Sequence, residues 1–156
     1  MATEDLDRAL GDAERALLDS SILMAFHSPQ EATHHLADHL LRRIERESDP
    51  MRGYISTIST VELLIRPIRT SHERFTFMHE FLTGYPNMTV LPVDTVVAVE
   101  AATLRASMRL TLPDAVIVAS GLLAGCEAIV SNDTRWKQRG AALFPRFRWI
   151  YLGDYL

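Results

Sequence analysis

Ala16-Leu17-Leu18-Asp19-Ser20-Ser21 is the stretch on which the reading of this chain turns. A short apolar run ends in an acid and two serines, which is the form of a buried strand and its exit from a sheet. The form recurs along the sequence. Gly53-Tyr54-Ile55-Ser56-Thr57 reads as a second strand, rich in β-formers. Met88 to Val93 gives a third, Glu127 to Ser131 a fourth, and Trp149-Ile150-Tyr151-Leu152 a last edge strand.

Helical patterns fill the intervals. From Gln30 to Glu47, Ala32, Leu36, Leu40 and Ile44 recur at four-residue spacing on one amphipathic face, up to the turn at Ser48-Asp49-Pro50. A helix from Ser59 to Ile65 is expected to break at Pro67, and another runs from Ser71 to Leu82, closed by Gly84 and Pro86. Asp94 is a good N-cap for a helix to Met108 that turns Val97, Ala101, Leu104 and Met108 inward. Asp114 to Ala124 is apolar all round and so is expected to be buried on all sides. Strands alternating with helices predict an α/β fold with a parallel sheet sandwiched between helices. Residues 1–15 are polar and read as an N-terminal extension; residues 16–156 read as a single domain.

Composition narrows the class. A chain of 156 residues with 47% hydrophobic and 23% charged residues can bury a core as one soluble domain. The single cysteine, Cys126, lies in an apolar run, which excludes an intrachain disulfide and fits a reducing compartment. The acidic start, Met-Ala-Thr-Glu-Asp-Leu-Asp-Arg, has no secretory apolar segment, and no stretch approaches the roughly 20 apolar residues of a membrane span. A cytoplasmic protein with no membrane partner is expected. A net charge of −4 argues against coating nucleic acid by bulk electrostatics, but leaves room for an enzyme that meets it over a local patch.

Four acids then stand out: Asp19, Glu62 in Ser-Thr-Val-Glu-Leu-Leu, Asp114 in Leu-Pro-Asp-Ala-Val-Ile, and Asp133 in Ile-Val-Ser-Asn-Asp. Each sits where a strand ends or a helix begins, and ligands of parallel α/β sheets bind beyond the carboxyl ends of the strands. Singly, each has an ordinary structural explanation. Asp19 could cap a following helix, Ser59 and Glu62 have the capping-box form, Thr111 to Asp114 comes close to it, and Asp133 could stand in a plain turn. Jointly they point elsewhere, because Asp19 and Asp114 abut buried segments and no lysine or arginine follows Asp19 within five residues or flanks Asp114 within four. Converging carboxylates repel, and a hard divalent cation, Mg²⁺ or Mn²⁺, resolves the repulsion while binding phosphate oxygens.

In this order, Leu-Leu-Asp-Ser-Ser, Ser-Thr-Val-Glu-Leu, Leu-Pro-Asp-Ala-Val-Ile-Val-Ala-Ser and Ile-Val-Ser-Asn-Asp, the motifs resemble those of PIN-domain nucleases, and most of all the VapC-type bacterial toxins. The resemblance runs from about Leu17 to Trp136. It implies a three-layer α/β/α sandwich in which Asp19, Glu62, Asp114 and Asp133 bind Mg²⁺ or Mn²⁺ and carry catalysis. Ser20, Ser21 and Ser131 match the small hydroxyl residues set beside such acids. It also implies an endoribonuclease acting on single-stranded or loop RNA, a homodimer, and a cognate antitoxin. Two features depart from the pattern: Arg135 stands where many relatives carry a further acid, and the first 15 residues precede the usual opening strand.

Secondary signals are weaker. Arg66, Arg69 and Arg74 beyond Glu62, and Arg135, Lys137 and Arg139 beyond Asp133, could contact RNA phosphates or an acidic antitoxin segment, or form solvated ion pairs. His35 and His39 have zinc-ligand spacing, but no nearby motif supplies a third ligand. Phe75, Phe77, Met78 and Phe81 suit a core or a partner surface. The rival from another class is a non-catalytic PIN scaffold that only binds RNA or protein. An aspartyl-phosphate phosphatase fails for want of a second aspartate two residues after Asp19, where Ser21 stands, and a receiver domain for want of a paired upstream acid.

Overall fold

A computed structural model describes residues 2–143 and 145–156, with the side chains of residues 139 and 141–143 outside the description. Among the described residues, the strands β1 (Arg15–Leu18), β2 (Arg52–Ser56), β3 (Met88–Leu91), β4 (Ala128–Ser131) and β5 (Arg148–Tyr151) form one sheet in the order β3-β2-β1-β4-β5. Every pairing is parallel. The chain builds outward from β1 through β2 to β3, then crosses back to place β4 on the other side of β1. The seam between β1 and β4 is therefore the switch point, where the connections leave in opposite directions and a crevice opens beyond the strand ends.

Successive strand side chains point to opposite faces, so a buried strand feeds two cores. Ala16 and Leu18 pack with Ala128, Val130 and Ile150 in one cluster; Leu17 and Ile129 pack in the other. On the first face lie α1 (Ala2–Leu10), α2 (Ser20–Phe26), α3 (His34–Glu45) and α5 (His72–Gly84), with a short 3-10 turn at Leu152–Tyr155. On the second lie α6 (Thr95–Met108), α7 (Leu112–Leu123) and α8 (Thr134–Leu143). The helix α4 (Thr57–Thr70) contributes Leu63 to the first cluster and Ile58 to the second. The result is the three-layer α/β/α sandwich.

The structure departs from the sequence expectation in four places. The helix at residues 57–70 is not broken at Pro67. Proline loses its donor but keeps its acceptor. The Pro67 carbonyl takes the Ser71 N–H at 3.1 Å and the Thr70 hydroxyl at 3.3 Å, which closes the turn that follows. The Ser59–Glu62 capping box does not form, because the helix starts earlier. Ser56 is its N-cap, accepting from the Ile58 N–H at 3.3 Å, and the Ser59 hydroxyl is buried without a partner among the described residues. Two helices were not delimited from the sequence: α2, which Asp19 could cap but which at seven residues is too short to show a period, and α8, whose basic residues and Gly140 mask its pattern. Finally, α7 is buried only from Ala115 to Gly121, while Leu112 and Leu123 at its ends are exposed.

The helix α1 packs on α3, β5 and the 3-10 turn, with Leu6 and Leu10 fully buried. A polar network fastens it. Asp7 accepts from Arg43 at 2.8 Å and bonds His39 Nε2 at 2.9 Å, and Arg43 also donates to Asp49 at 2.9 Å. His39 is thereby committed to Asp7, while His35 bonds the Ala32 carbonyl of its own segment.

Two outcomes follow from the packing. At Gly121 an added Cβ would lie 2.7 Å from Leu17 Cδ2 in the second core, so Gly121→Val forces overpacking. It is expected to lower stability by about 1–3 kcal/mol, read as a fall in the urea midpoint. The Arg43–Asp49 pair is only 15% and 16% exposed. Burial raises the Asp49 pKa, but hydrogen bonds from Arg43 and the Met51 N–H outweigh it and hold the carboxyl below its ordinary value. A depressed carboxyl stabilises the fold above its unfolded pKa, near 3.9, and loses that contribution as pH falls through the folded value. Asp49→Asn should therefore be less stable than the wild type near neutral pH, with the gap closing below about pH 4 in acid-unfolding curves.

Candidate functional site

The site grows from the register of β1 against β4. Leu18 pairs with Val130, so the next residues out, Asp19 and Ser131, emerge side by side, and the Asp19 N–H still reaches the Val130 carbonyl at 3.0 Å. Asp19 occupies the N-cap position of α2 but makes no side-chain cap bond. Its carboxylate turns instead toward β4. The Ser21 hydroxyl donates to Asp19 Oδ2 at 2.7 Å and the Ser131 hydroxyl donates to the same oxygen at 3.0 Å. Both serines are themselves held from behind, since the Asn132 N–H donates to Ser21 Oγ at 2.9 Å and the Asp133 N–H to Ser131 Oγ at 3.0 Å. A backbone amide therefore aims each hydroxyl proton at one carboxylate oxygen.

Asp19 as a residue is only 7% exposed, and among the described residues no lysine or arginine forms an ion pair with it. Hydroxyl donors each return about 1.5–3 kcal/mol to a charged acceptor but bring no compensating charge. Asp114 stands in the first turn of α7, where the Thr111 hydroxyl caps the helix by accepting from the Asp114 N–H at 3.4 Å. Burial pushes the Asp114 pKa up, the charges of Asp19 and Asp133 add to the rise, and Thr111 and Arg135 oppose it. Those couplings bring three of the four acids to one edge. Glu62 joins them from α4 through Ser20, whose hydroxyl donates to Glu62 Oε2 at 2.6 Å.

Asp133 is placed differently. It caps α8, accepting from the Arg135 N–H at 2.9 Å, and the Arg135 guanidinium grips both of its oxygens, with Nε at 2.9 and 3.1 Å and Nη2 at 2.6 Å. That fork holds the Asp133 pKa below the usual carboxylate range. Lys137 is ion-paired with Asp154 and lies over the Tyr151 ring, beside a cleft of about 210 Å³ lined also by Ser131, Asp133 and Trp136. Arg66 and Arg74 line a groove of about 500 Å³ with Glu62, His27 and Met78. Arg69 is exposed on α4 outside that lining, and the Arg139 side chain falls outside the description. In the aromatic group, Phe77 is exposed while Met78 and Phe81 pack against the first core.

The donor set suits a hard divalent cation in kind. Asp19 is a buried carboxylate that no lysine or arginine pairs with among the described residues, Asp114 is a second whose burial disfavours its charge, Arg135 reaches both only at a distance, and all the candidate ligands are carboxylate oxygens. In these side-chain positions no three His, Cys, Asp or Glu residues stand together closely enough to hold a metal, among the described residues. Ser20 holds Glu62 and Arg135 holds Asp133. Sequence reasoning named the three serines but missed what aims Ser21 and Ser131, the amides of Asn132 and Asp133, because backbone donors leave no mark in a sequence.

Comparison with curated protein sequences returns no match. Among solved structures, the toxin–antitoxin complex from Klebsiella pneumoniae superposes with a TM-score of 0.64 at 22% identity, covering 88% of this chain and 97% of that one. The DNA-bound VapBC of Salmonella typhimurium gives 0.63 at 19%, covering 88% and 98%. Mycobacterium tuberculosis VapC20, a sarcin–ricin-loop-cleaving toxin, gives 0.63 at 17%, covering 80% and 95%. At these identities the likeness is one of fold. The sequence model of the PIN domain matches residues 16–142, from the strand that ends at Asp19 to the helix that follows Asp133, and the chain belongs to the PIN domain family.

Proposed function

We propose that this chain is a Mg²⁺- or Mn²⁺-dependent endoribonuclease and the toxin of a toxin–antitoxin pair, acting in the cytoplasm. The observation that carries the reading is Asp19: a buried carboxylate at the sheet's switch point, oriented by two hydroxyls and lacking a basic partner among the described residues, beside Asp114. Asp19 and Asp114 are assigned as direct ligands, and Glu62 and Asp133 as ligands directly or through water. A bound divalent ion supplies an acidified water and stabilises charge on the leaving oxygen of a phosphodiester.

The chain's own residues do the rest. Ser21 and Ser131 fix one Asp19 oxygen, so the carboxylate meets a ligand in one orientation. Arg66 and Arg74, in the groove that ends at Glu62, are suited to draw RNA phosphates toward the acids of a protein whose net charge is otherwise repulsive. The toxin-complex and RNA-cleaving relatives support the assignment, and the same groove would receive an acidic or apolar antitoxin segment.

A homodimer is supported by an unpartnered apolar face. Val61, Ile65 and Ile68 lie exposed on one side of α4, Val96 and Val99 on α6, and Leu112 at the start of α7. Beside them a groove of about 640 Å³ is lined by Ile58, Val93, Ala102 and Val116. Exposed apolar residues gathered beside such a groove suit a contact with a second copy of the chain.

Asp19→Asn and Asp114→Asn should each remove RNA cleavage while leaving the urea midpoint at or above the wild-type value, and should abolish the Mn²⁺-induced rise in Tm. Full activity in either variant would sink the ligand assignment. If Mn²⁺ neither raises Tm nor supports cleavage in the wild type, the chain is a binding scaffold instead. Val99→Glu is expected to convert a dimer to a monomer in sedimentation analysis; an unchanged mass would place the dimer contact elsewhere.

A further inference from the structure

The grip of Arg135 on Asp133 has consequences for how many cations the site accepts. We infer that Arg135 acts as a built-in substitute for a second cation, so that the site binds one divalent ion. The inference rests on the metal-nuclease reading above and specifies it further.

The geometry is one of saturation. Asp133 Oδ2 accepts from Arg135 Nη2 at 2.6 Å and Nε at 2.9 Å, while Oδ1 accepts from the Arg135 amide at 2.9 Å and Nε at 3.1 Å. Both oxygens are engaged, and by a residue only two positions away whose own backbone is already bonded to the same carboxylate. A planar guanidinium matches a carboxylate in this bidentate manner and stays charged at every working pH. The side chain is 83% exposed, so the guanidinium can offer its remaining N–H groups to a phosphate without leaving Asp133.

Charge points the same way. With Asp19, Glu62, Asp114 and Asp133 ionised, the edge carries −4, and one divalent ion together with Arg135 reduces it to −1. A second divalent ion would make the edge net positive, and it would need oxygens of its own within about 4 Å of the first ion. The fourth acid, the natural source of those oxygens, has both of its oxygens held by Arg135, which leaves it to serve the first ion through water. Arg135 also feels the charges of Asp114 and Asp19, so its influence reaches the whole edge rather than one partner.

The test counts metal ions on the metal-free full chain, titrated with Mn²⁺ and followed by the electron paramagnetic resonance of the free ion. The wild type should bind one Mn²⁺ per chain. Arg135→Ala and Arg135→Gln, exposed substitutions whose folding is checked by Tm, should each bind two, and the double variant Asp133→Asn with Arg135→Ala should return to one. One ion in the wild type and in both Arg135 variants overturns the role of Arg135 and leaves the metal site standing. Two ions in the wild type overturn it as well. No bound ion in any variant removes the metal-nuclease reading and this inference with it.

Discussion

The parallel pairing of β1 with β4 is the constraint on which the rest of the molecule depends. Its register, Leu17 opposite Ile129 and Leu18 opposite Val130, sends alternate side chains into two separate cores. A slip of one residue would exchange the faces of every side chain on the strand and bury the wrong set. The same register delivers Asp19 beside Ser131 and lets the amides that follow β4 hold the hydroxyls that hold Asp19. Core packing and site geometry are therefore two readings of one alignment, and the buried charge is placed by the strands least able to shift.

The second half of the site is tied to the first through the opposite core. Asp114 begins α7, and α7 comes close to the sheet because Gly121 presents no side chain to Leu17. Leu17 is two residues before Asp19. The contact thus ties the helix that carries Asp114 to the strand that leads into Asp19. Burial then acts on Asp114 in the direction that the neighbouring carboxylates reinforce. Such a place is held at an energetic disadvantage by the fold around it, and perturbed acids in a cleft are typical of functional sites.

Much of this was legible in the residues. Short runs of apolar residues and β-formers located all five strands, and Asp94 marked the start of α6, where its side chain accepts from the Val97 N–H at 2.9 Å. The Leu-Pro-Asp motif likewise marked the start of α7. Illegible features share a physical cause: they depend on tertiary context rather than on local pattern. Pro67 signals a stop, yet its carbonyl closes the next turn. Ser59 and Glu62 spell a cap, but Ser56 had already started the helix, leaving Glu62 to meet Ser20 across 42 positions of sequence. Arg135 stood out in the sequence as a base where many relatives carry a further acid, but only the fold of the turn shows it locked onto Asp133.

Positive charge in an acidic protein matters by where it is left over. Much of the basic complement is consumed internally: Arg8 by Asp5, Arg42 by Asp38, Arg43 by Asp7 and Asp49, Lys137 by Asp154, and Arg148 by Asp12. Three of those acids, Asp5, Asp7 and Asp12, belong to the segment that precedes β1, so the N-terminal helix and its turn neutralise arginines while docking on the sandwich. Arg66 and Arg74 enter no ion pair among the described residues, and both line the groove that contains Glu62. A polyanion repelled by a net charge of −4 at long range meets cations there that no carboxylate compensates, because screening confines the repulsion to about a Debye length and leaves short-range contacts to decide. The distribution of pairs, rather than the total of charges, is what lets an acidic chain present a cationic approach to an acidic edge.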